Sequence, residues 1–314
     1  VLGITLTRRS NGAASEVPLA GFPHHAIDNY LPKLVRAGYR VAICEQLEDP
    51  KFAKGIVKRD VIEVVTPGAN FSEKILDHKS NNFLAAVFIR DNICGFSFCD
   101  VSTGEFAASE IHASVLQSQL EIINPSEILI SKRDKEKTYK ILRYDPDASF
   151  NESAKRFLVT KVDDWVFNLD YAKELLTGHF GTHSLKGFGI ENLREGIIAA
   201  GCILNYLNET QKNNIPHIRK IYNYDYTDYI ILDPSTKRNL EITSSMTEGA
   251  REGTLISVLD NTRTAMGGRL MKKWISRPLK KIDEIRRRHR AVKELLENKS
   301  DRKTIAEELK SVAD

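Results

Sequence analysis

Three apolar runs sit almost back to back in the chain: NFLAAVFIR (82–90), CGFSFCDVS (94–102) and GEFAASEI (104–111). Gaps this short cannot hold a crossover, so consecutive strands must reverse and pair as an antiparallel meander. ASVLQSQLEIINP (113–125) then has helical spacing, and EILIS (127–131) reads as a further strand. The region is an α/β unit built on one sheet. Its second run ends on Asp100, just before Ser102-Thr103-Gly104. A carboxylate there is either half of a metal site or a turn-former that happens to be acidic.

Two-metal chemistry needs several carboxylates converging within a few ångströms. The first strand carries no acidic residue until Asp91 at its end, Asp100 belongs to the second strand, and the helix offers only Glu121 near its far end. The residues favour an Asx-type turn in DVSTG, with the Asp100 side chain bonding backbone N–H groups. The alternative is a metal-dependent nuclease of ribonuclease-H-like fold, using Asp100 with Glu105 or Glu121.

Upstream, residues 1–69 read as mixed α/β. VLGITLT is a strand, a loop rich in Gly, Ala and Ser follows, and HAIDNYLPKLVRAG is a helix closed by Gly38. Pro32 removes a backbone hydrogen bond and predicts a kink or a later helix start. YRVAICEQ and DVIEVVTPG read as strands, and Lys51, Lys54, Lys58 and Arg59 form a basic loop between them. That loop is either a phosphate contact or an ordinary exposed loop.

Downstream, a polar stretch (132–153) precedes FLVTKVDDWVF and the helix DYAKELLTGHFG, which Asp170 is placed to cap. ENLREGIIAAGCILNYLNET is predicted as a helix with a capping box at Asn192 and Glu195 and a stripe of Leu193, Ile197, Ala200, Leu204 and Leu207. DYIILDPSTKRNLEI supplies the last strand. Helices follow it, with one stripe of Ile282, Ile285, His289, Val292 and Leu296 and another of Ile305, Leu309 and Val312. His289 on the first stripe is a core or flank histidine, not a ligand.

At 314 residues and 41% hydrophobic the chain has material for two or three domains. Starting at Val1 and stopping inside a charged helical pattern, it reads as a piece of a longer protein. Cys44, Cys94, Cys99 and Cys202 sit singly in apolar surroundings, as buried reduced thiols of a cytoplasmic protein would. GIIAAGCIL (196–204) is too short to span a bilayer and no signal peptide is visible, so no membrane partner is expected. The net charge of +4 conceals twelve Lys/Arg against two acidic residues between Arg263 and Lys293, either a phosphate-binding surface or a solvated helix face. There is no GxxxxGK[ST], HExxH or GxSxG, and His24-His25 diverge on any regular element. The residues point to no nucleotide, metal or catalytic site.

Taken as a set, LGITLTRR, AGFPHHAIDNYLPKLV, VAICEQLEDP, DVSTGEF, LDPSTKRNLEI and TLISVLDNTRTAMGGRLMKKWISRPL resemble the bacterial MutS family of DNA mismatch-repair proteins, from Val1 to at least Leu279. The resemblance implies a multidomain α/β plus all-α chain. Residues 1–69 would be the C-terminal part of the mismatch-binding domain, 75–213 a non-catalytic, ribonuclease-H-like connector, and 214–314 the start of the helical core and lever. It implies that the connector docks MutL and links DNA reading to an ATPase, with ATP, magnesium and homodimer formation belonging to the full-length protein and no cofactor to this piece. The family's base-stacking Phe-x-Glu does not occur in the corresponding part of this chain, so weak duplex binding without mismatch discrimination is expected. By the family's pattern the remaining backbone contacts would be Arg9, Arg59 in the basic loop with Lys54 and Lys58, and Leu19 near the groove.

Overall fold

The computed structural model describes residues 1–11, 14–49, 55–69, 79–142, 144, 157–212, 215–246 and 252–312. The first segment holds two small hairpins. β1 (Thr7–Asn11) pairs antiparallel with β2 (Ala14–Leu19), and β3 (Val41–Gln46) pairs antiparallel with β4 (Arg59–Val65). Between them lies α1 (Ile27–Arg36), preceded by a 3-10 turn over His24–Ala26 and followed by Gly38 at φ +83°. The helix therefore starts later than its sequence pattern, with Pro32 still inside it.

Two readings are corrected here. Only Thr7 of VLGITLT is in a strand, and Arg8–Asn11 and Ala14–Leu19, expected to be loop, supply the rest of β1 and β2. RRSNGAASEV has no apolar alternation, so backbone pairing rather than side-chain pattern defines it. Cys44 is exposed because β3 covers α1 with one face only, through Val41 and Ile43.

The centre of the molecule is a six-stranded sheet. β5 (Phe83–Arg90), β6 (Ile93–Asp100) and β7 (Glu105–His112) form the expected meander. α2 (Leu116–Ile123) leads to β8 (Glu127–Ser131), which pairs parallel to β5. α3 (Lys135–Leu142) lies in the stretch read as a polar separator, and β9 (Leu158–Val162) pairs parallel to β8. α4 (Leu169–Phe180) and α5 (Arg194–Thr210) follow, and β10 (Tyr222–Asn223) adds parallel to β7, giving the order β10-β7-β6-β5-β8-β9.

Strand residues divide by parity between two cores. Leu84, Ala86, Cys99, Phe106, Ala108 and Leu129 pack with α4 and α5. Phe83, Ala85, Val87, Phe96, Phe98, Ile128 and Ile130 pack on the other face, with α2 and Tyr139 of α3. Burial on both faces explains why these strands read as unbroken apolar runs instead of alternating ones. α5 is buried all round, with Ile198, Ala199, Cys202, Ile203 and Tyr206 as enclosed as the predicted stripe.

Both predicted caps differ from the structure. Asn168, not Asp170, caps α4, accepting from the backbone N–H of Asp170 and Tyr171. α5 has no side-chain capping box; the Glu195 N–H donates to Glu110 Oε1 at 2.6 Å, and Arg90 pairs with the Glu195 carboxylate at 3.1 Å. A neighbouring strand thus supplies the acceptor that Asn192 was expected to give.

The last segment is helical: α6 (Pro234–Asn239), α7 (Leu255–Leu259), α8 (Ala265–Ser276), α9 (Ile282–Glu297) and α10 (Lys299–Glu308). The strand expected in DYIILDPSTKRNLEI is replaced by a single bridge, Tyr229 to Leu279, and by α6, because Asp233 caps the Thr236 N–H and Pro234 opens the helix. Thr264 caps α8 by accepting from the Gly267 N–H. His289 is exposed on α9, and its stripe companions Ile282, Val292 and Leu296 are 55–63% exposed.

The first segment has a small core of its own, Leu31, Val35 and Val65, against the two large clusters of the central unit. Amides of α1, β3 and β4 are therefore expected to exchange at least about a hundredfold faster than those of β5–β8, corresponding to local opening well below the global free energy. Equal protection in hydrogen-exchange mass spectrometry would contradict that.

Candidate nucleic-acid interface

The residues read as DNA contacts lie on two separate hairpins. Arg9 is in β1, opposite Val17 in register, and Leu19 ends β2, 46% exposed, where the Thr7 hydroxyl bonds its carbonyl. Arg59 begins β4 opposite Gln46, and the Lys58 N–H donates to Glu48 Oε1 at 2.7 Å. The structure thus brings Lys58 and Arg59 together at the mouth of one hairpin and puts Arg9 and Leu19 in another sheet. Lys54 lies outside the described residues.

This segment is bolted to the central sheet by Glu127, the first residue of β8, which is fully buried. Its Oε2 accepts from the Thr66 hydroxyl at 2.5 Å and the Gly68 N–H at 3.1 Å. Its Oε1 accepts from the Thr160 hydroxyl at 2.6 Å and the Tyr206 hydroxyl at 2.7 Å. Four donors from the end of β4, from β9 and from α5 converge on one carboxylate, which makes a buried charge tolerable. Gly68 permits the approach: a Cβ there would meet Glu127 Cβ at 2.7 Å. Arg40 covers the Tyr206 ring at 5.6 Å, and burial together with the Glu127 charge pushes the Tyr206 hydroxyl pKa far up. Sequence reasoning missed Glu127 altogether; an acidic first residue in an otherwise apolar strand was the available signal.

Asp100 is the turn-former. Its Oδ1 accepts from the Ser102 N–H at 3.0 Å and hydroxyl at 2.7 Å, and its Oδ2 from Asn81 Nδ2 at 2.7 Å and the Asn82 N–H at 3.3 Å. Gly104 closes the turn at φ +71°, its N–H on the Asp100 carbonyl. Glu105 faces Lys273 and Tyr222, and Glu121 lies on α2 near Lys237. The oxygens a metal would need are occupied by donors, so the nuclease alternative has no support here. Among the described residues no group of three His, Cys, Asp or Glu could hold a metal ion.

The twelve cations between Arg263 and Lys293 are partly spent internally. Lys273 pairs with Glu105, Lys281 with Asp228 and Arg287 with Glu284, Lys272 bonds Ser80, Arg288 covers Trp274, and Arg277 is buried. Arg286, Arg290 and Lys293 of α9 lie side by side along a shallow groove with Asp283 and His289. Among the described residues no helix is long and apolar enough to cross a membrane.

Fold and joints together define a mixed α/β protein whose central sheet-and-helix unit carries a small α/β segment on one side and a helical segment on another. Comparison with known proteins makes this specific. The chain matches the family models of MutS domain I over residues 1–74, MutS domain II over 82–219 and MutS domain III over 235–314. It is 47% identical to the DNA mismatch repair protein MutS of Salinibacter ruber and 48% identical to that of Flavobacterium johnsoniae, in each case over the whole of this chain, and 45% identical to that of Chlorobaculum parvum. The chain belongs to the MutS family. It spans about a third of the length of these relatives, 34–35%.

Proposed function

We propose that this chain is the non-catalytic coupling part of a DNA mismatch-recognition protein. Residues 1–69 act as the C-terminal part of the mismatch-binding domain, 75–213 as a ribonuclease-H-like connector, and 214–314 as the start of the helical core and lever. The strand order of the central sheet, with an antiparallel meander followed by parallel strands, supports the connector assignment. The observation that carries the proposal is the Glu127 joint, which ties the end of the segment bearing Lys58 and Arg59 to the sheet read here as the connector. In the whole protein, a cytoplasmic homodimer by this reading, such a joint would pass DNA engagement toward an ATPase that uses ATP and magnesium, while MutL docks on the connector.

Arg9, Leu19, Lys54, Lys58 and Arg59 serve as non-specific duplex contacts, positioning the backbone without reading sequence. Residues 1–69 contain no Phe-x-Glu, and the two matches elsewhere, Phe71-Ser72-Glu73 and Phe150-Asn151-Glu152, follow that segment in the chain, so on this reading residues 1–69 supply no stacking aromatic of that motif. Fluorescence anisotropy of a labelled duplex, with and without one G·T mismatch, at two salt concentrations in EDTA, tests this. Weak, salt-sensitive binding with no preference is expected. Replacing Lys58 and Arg59 together by Ala should flatten the log–log salt slope by about 1–2. A clear mismatch preference would overturn this account of discrimination.

A further inference from the structure

The helices beyond Tyr224 meet the central sheet at its β10 edge, around Glu105. Glu105 leaves the DVSTG turn as the first residue of β7, and its Oε1 accepts from Lys273 Nζ at 2.6 Å and from the Tyr222 hydroxyl at 2.7 Å. Arg277, four residues after Lys273, is 6% exposed, with its guanidinium 5.6 Å from the Tyr224 ring centre. Lys273 lies 6.0 Å from the Tyr222 ring centre. The two cations at the end of α8 thus clasp Tyr222 of the edge strand and Tyr224 just after it, with Glu105 as their shared anion.

The clasp is short of negative charge. Arg277 Nη1 is buried with no acceptor, and burial together with the Arg277 charge lowers the pKa of the Lys237 ammonium. Burial alone would raise the Glu105 carboxyl pKa, but Lys273, the Tyr222 hydroxyl and Arg277 bring it below the ordinary value. A buried Arg277 and a half-buried Lys273 with one carboxylate between them are placed by that carboxylate, since losing it leaves like charges facing each other in a poorly solvated site.

α8 is also held elsewhere. At its start Lys79 pairs with Asp260 at 3.1 Å, and its stem lies over Gly268, where a Cβ would meet Lys79 Cγ at 2.9 Å; further along, next to Lys273, Lys272 bonds the Ser80 hydroxyl at 2.8 Å. The clasped end leads on to α9: the Arg288 guanidinium lies 3.7 Å from the Trp274 ring centre, the Ile230 N–H donates to the Pro278 carbonyl at 2.7 Å, and Lys281 pairs with Asp228 at 2.7 Å.

We propose that Glu105 is the positioning residue of a charge-held latch that sets the end of α8, and through Trp274 and Arg288 the long helix α9, against the edge of the central sheet, with Lys79 as the pivot. Opening the latch frees α9 to swing while the sheet stays folded. The inference concerns the packing of one chain and stands apart from DNA binding.

Hydrogen-exchange mass spectrometry of the full chain tests it, comparing wild type with Glu105→Gln, Glu105→Lys and the charge reversal Glu105→Lys with Lys273→Glu. Glu105→Gln should speed exchange in residues 270–290 by about tenfold or more, while 83–112 and 260–268 stay within about twofold. The double reversal should restore 270–290 to within about threefold of wild type and well below Glu105→Lys alone. Lys273→Met gives the same reading if Glu105→Lys fails to fold. Unchanged exchange in 270–290, equal loosening of the sheet strands, or a double reversal no better than Glu105→Lys alone would each overturn the latch.

Discussion

Replacing Gly95 with Ala should abolish cooperative folding of the central unit or cost at least about 3 kcal/mol, the upper range for overpacking. A Cβ on Gly95 would lie 1.9 Å from the Glu195 carbonyl oxygen and 2.2 Å from its carbon. Neither side can yield cheaply. β6 is paired on both sides, by β5 and β7, and the obstructing atoms are backbone at the first turn of α5, which is tied down by Glu110 and Arg90. Urea unfolding followed by circular dichroism provides the measurement, and a midpoint equal to wild type would disprove the close packing. Gly201 offers a graded companion: a Cβ there meets Ala172 Cβ at 2.4 Å and Ala172 Cα at 2.7 Å, so Gly201→Ala should destabilise and Ala172→Gly should recover only part of the loss, the backbone contact remaining.

The second large effect is expected at Glu127. Changing it to Ala would leave two threonine hydroxyls, a tyrosine hydroxyl and the Gly68 N–H without their acceptor in a buried site. Each orphaned donor costs about 1–3 kcal/mol, softened by relaxation and water entry, so a total loss of roughly 3–5 kcal/mol is expected. Glu127→Gln should be milder, about 1–2 kcal/mol. Its amide oxygen can still face Gly68, whose N–H can only donate, while its amide nitrogen faces Thr160 and Tyr206, whose hydroxyls can turn and accept. Limited proteolysis separates this joint from an ordinary core residue. In Glu127→Ala the segment before Gly68 should be cut while β5–β9 resist, and simultaneous loss of both would show that Glu127 supports only the sheet.

Comparing these sites with the amino-acid sequence shows where local reading stops. The β5–β7 meander, the helices α1, α4, α5 and α9 and the Asp100 turn are all legible, because each rests on spacing, turn residues or contacts within a few positions. Asp100 bonds Ser102 two residues away, so its role as turn-former can be argued from DVSTG alone. The family is legible too, through peptides such as RNLEI and the run from TLISVLDNT to WISRPL. The β1–β2 hairpin, α3 and the true caps of α4 and α5 are not, since they depend on backbone pairing or on a neighbour such as Glu110, 85 residues from the N–H it accepts.

The sequence by itself determined the β5–β7 meander, the helices α1, α4, α5 and α9, and membership of the MutS family. Tertiary structure alone decided which charged residues matter. Glu127 gathers donors 59, 61, 33 and 79 positions away, and Glu105 meets Lys273 across 168. A carboxylate's role follows from the donors and dielectric around it, and at such separations those are set by how sheets and helices pack, which no local pattern records.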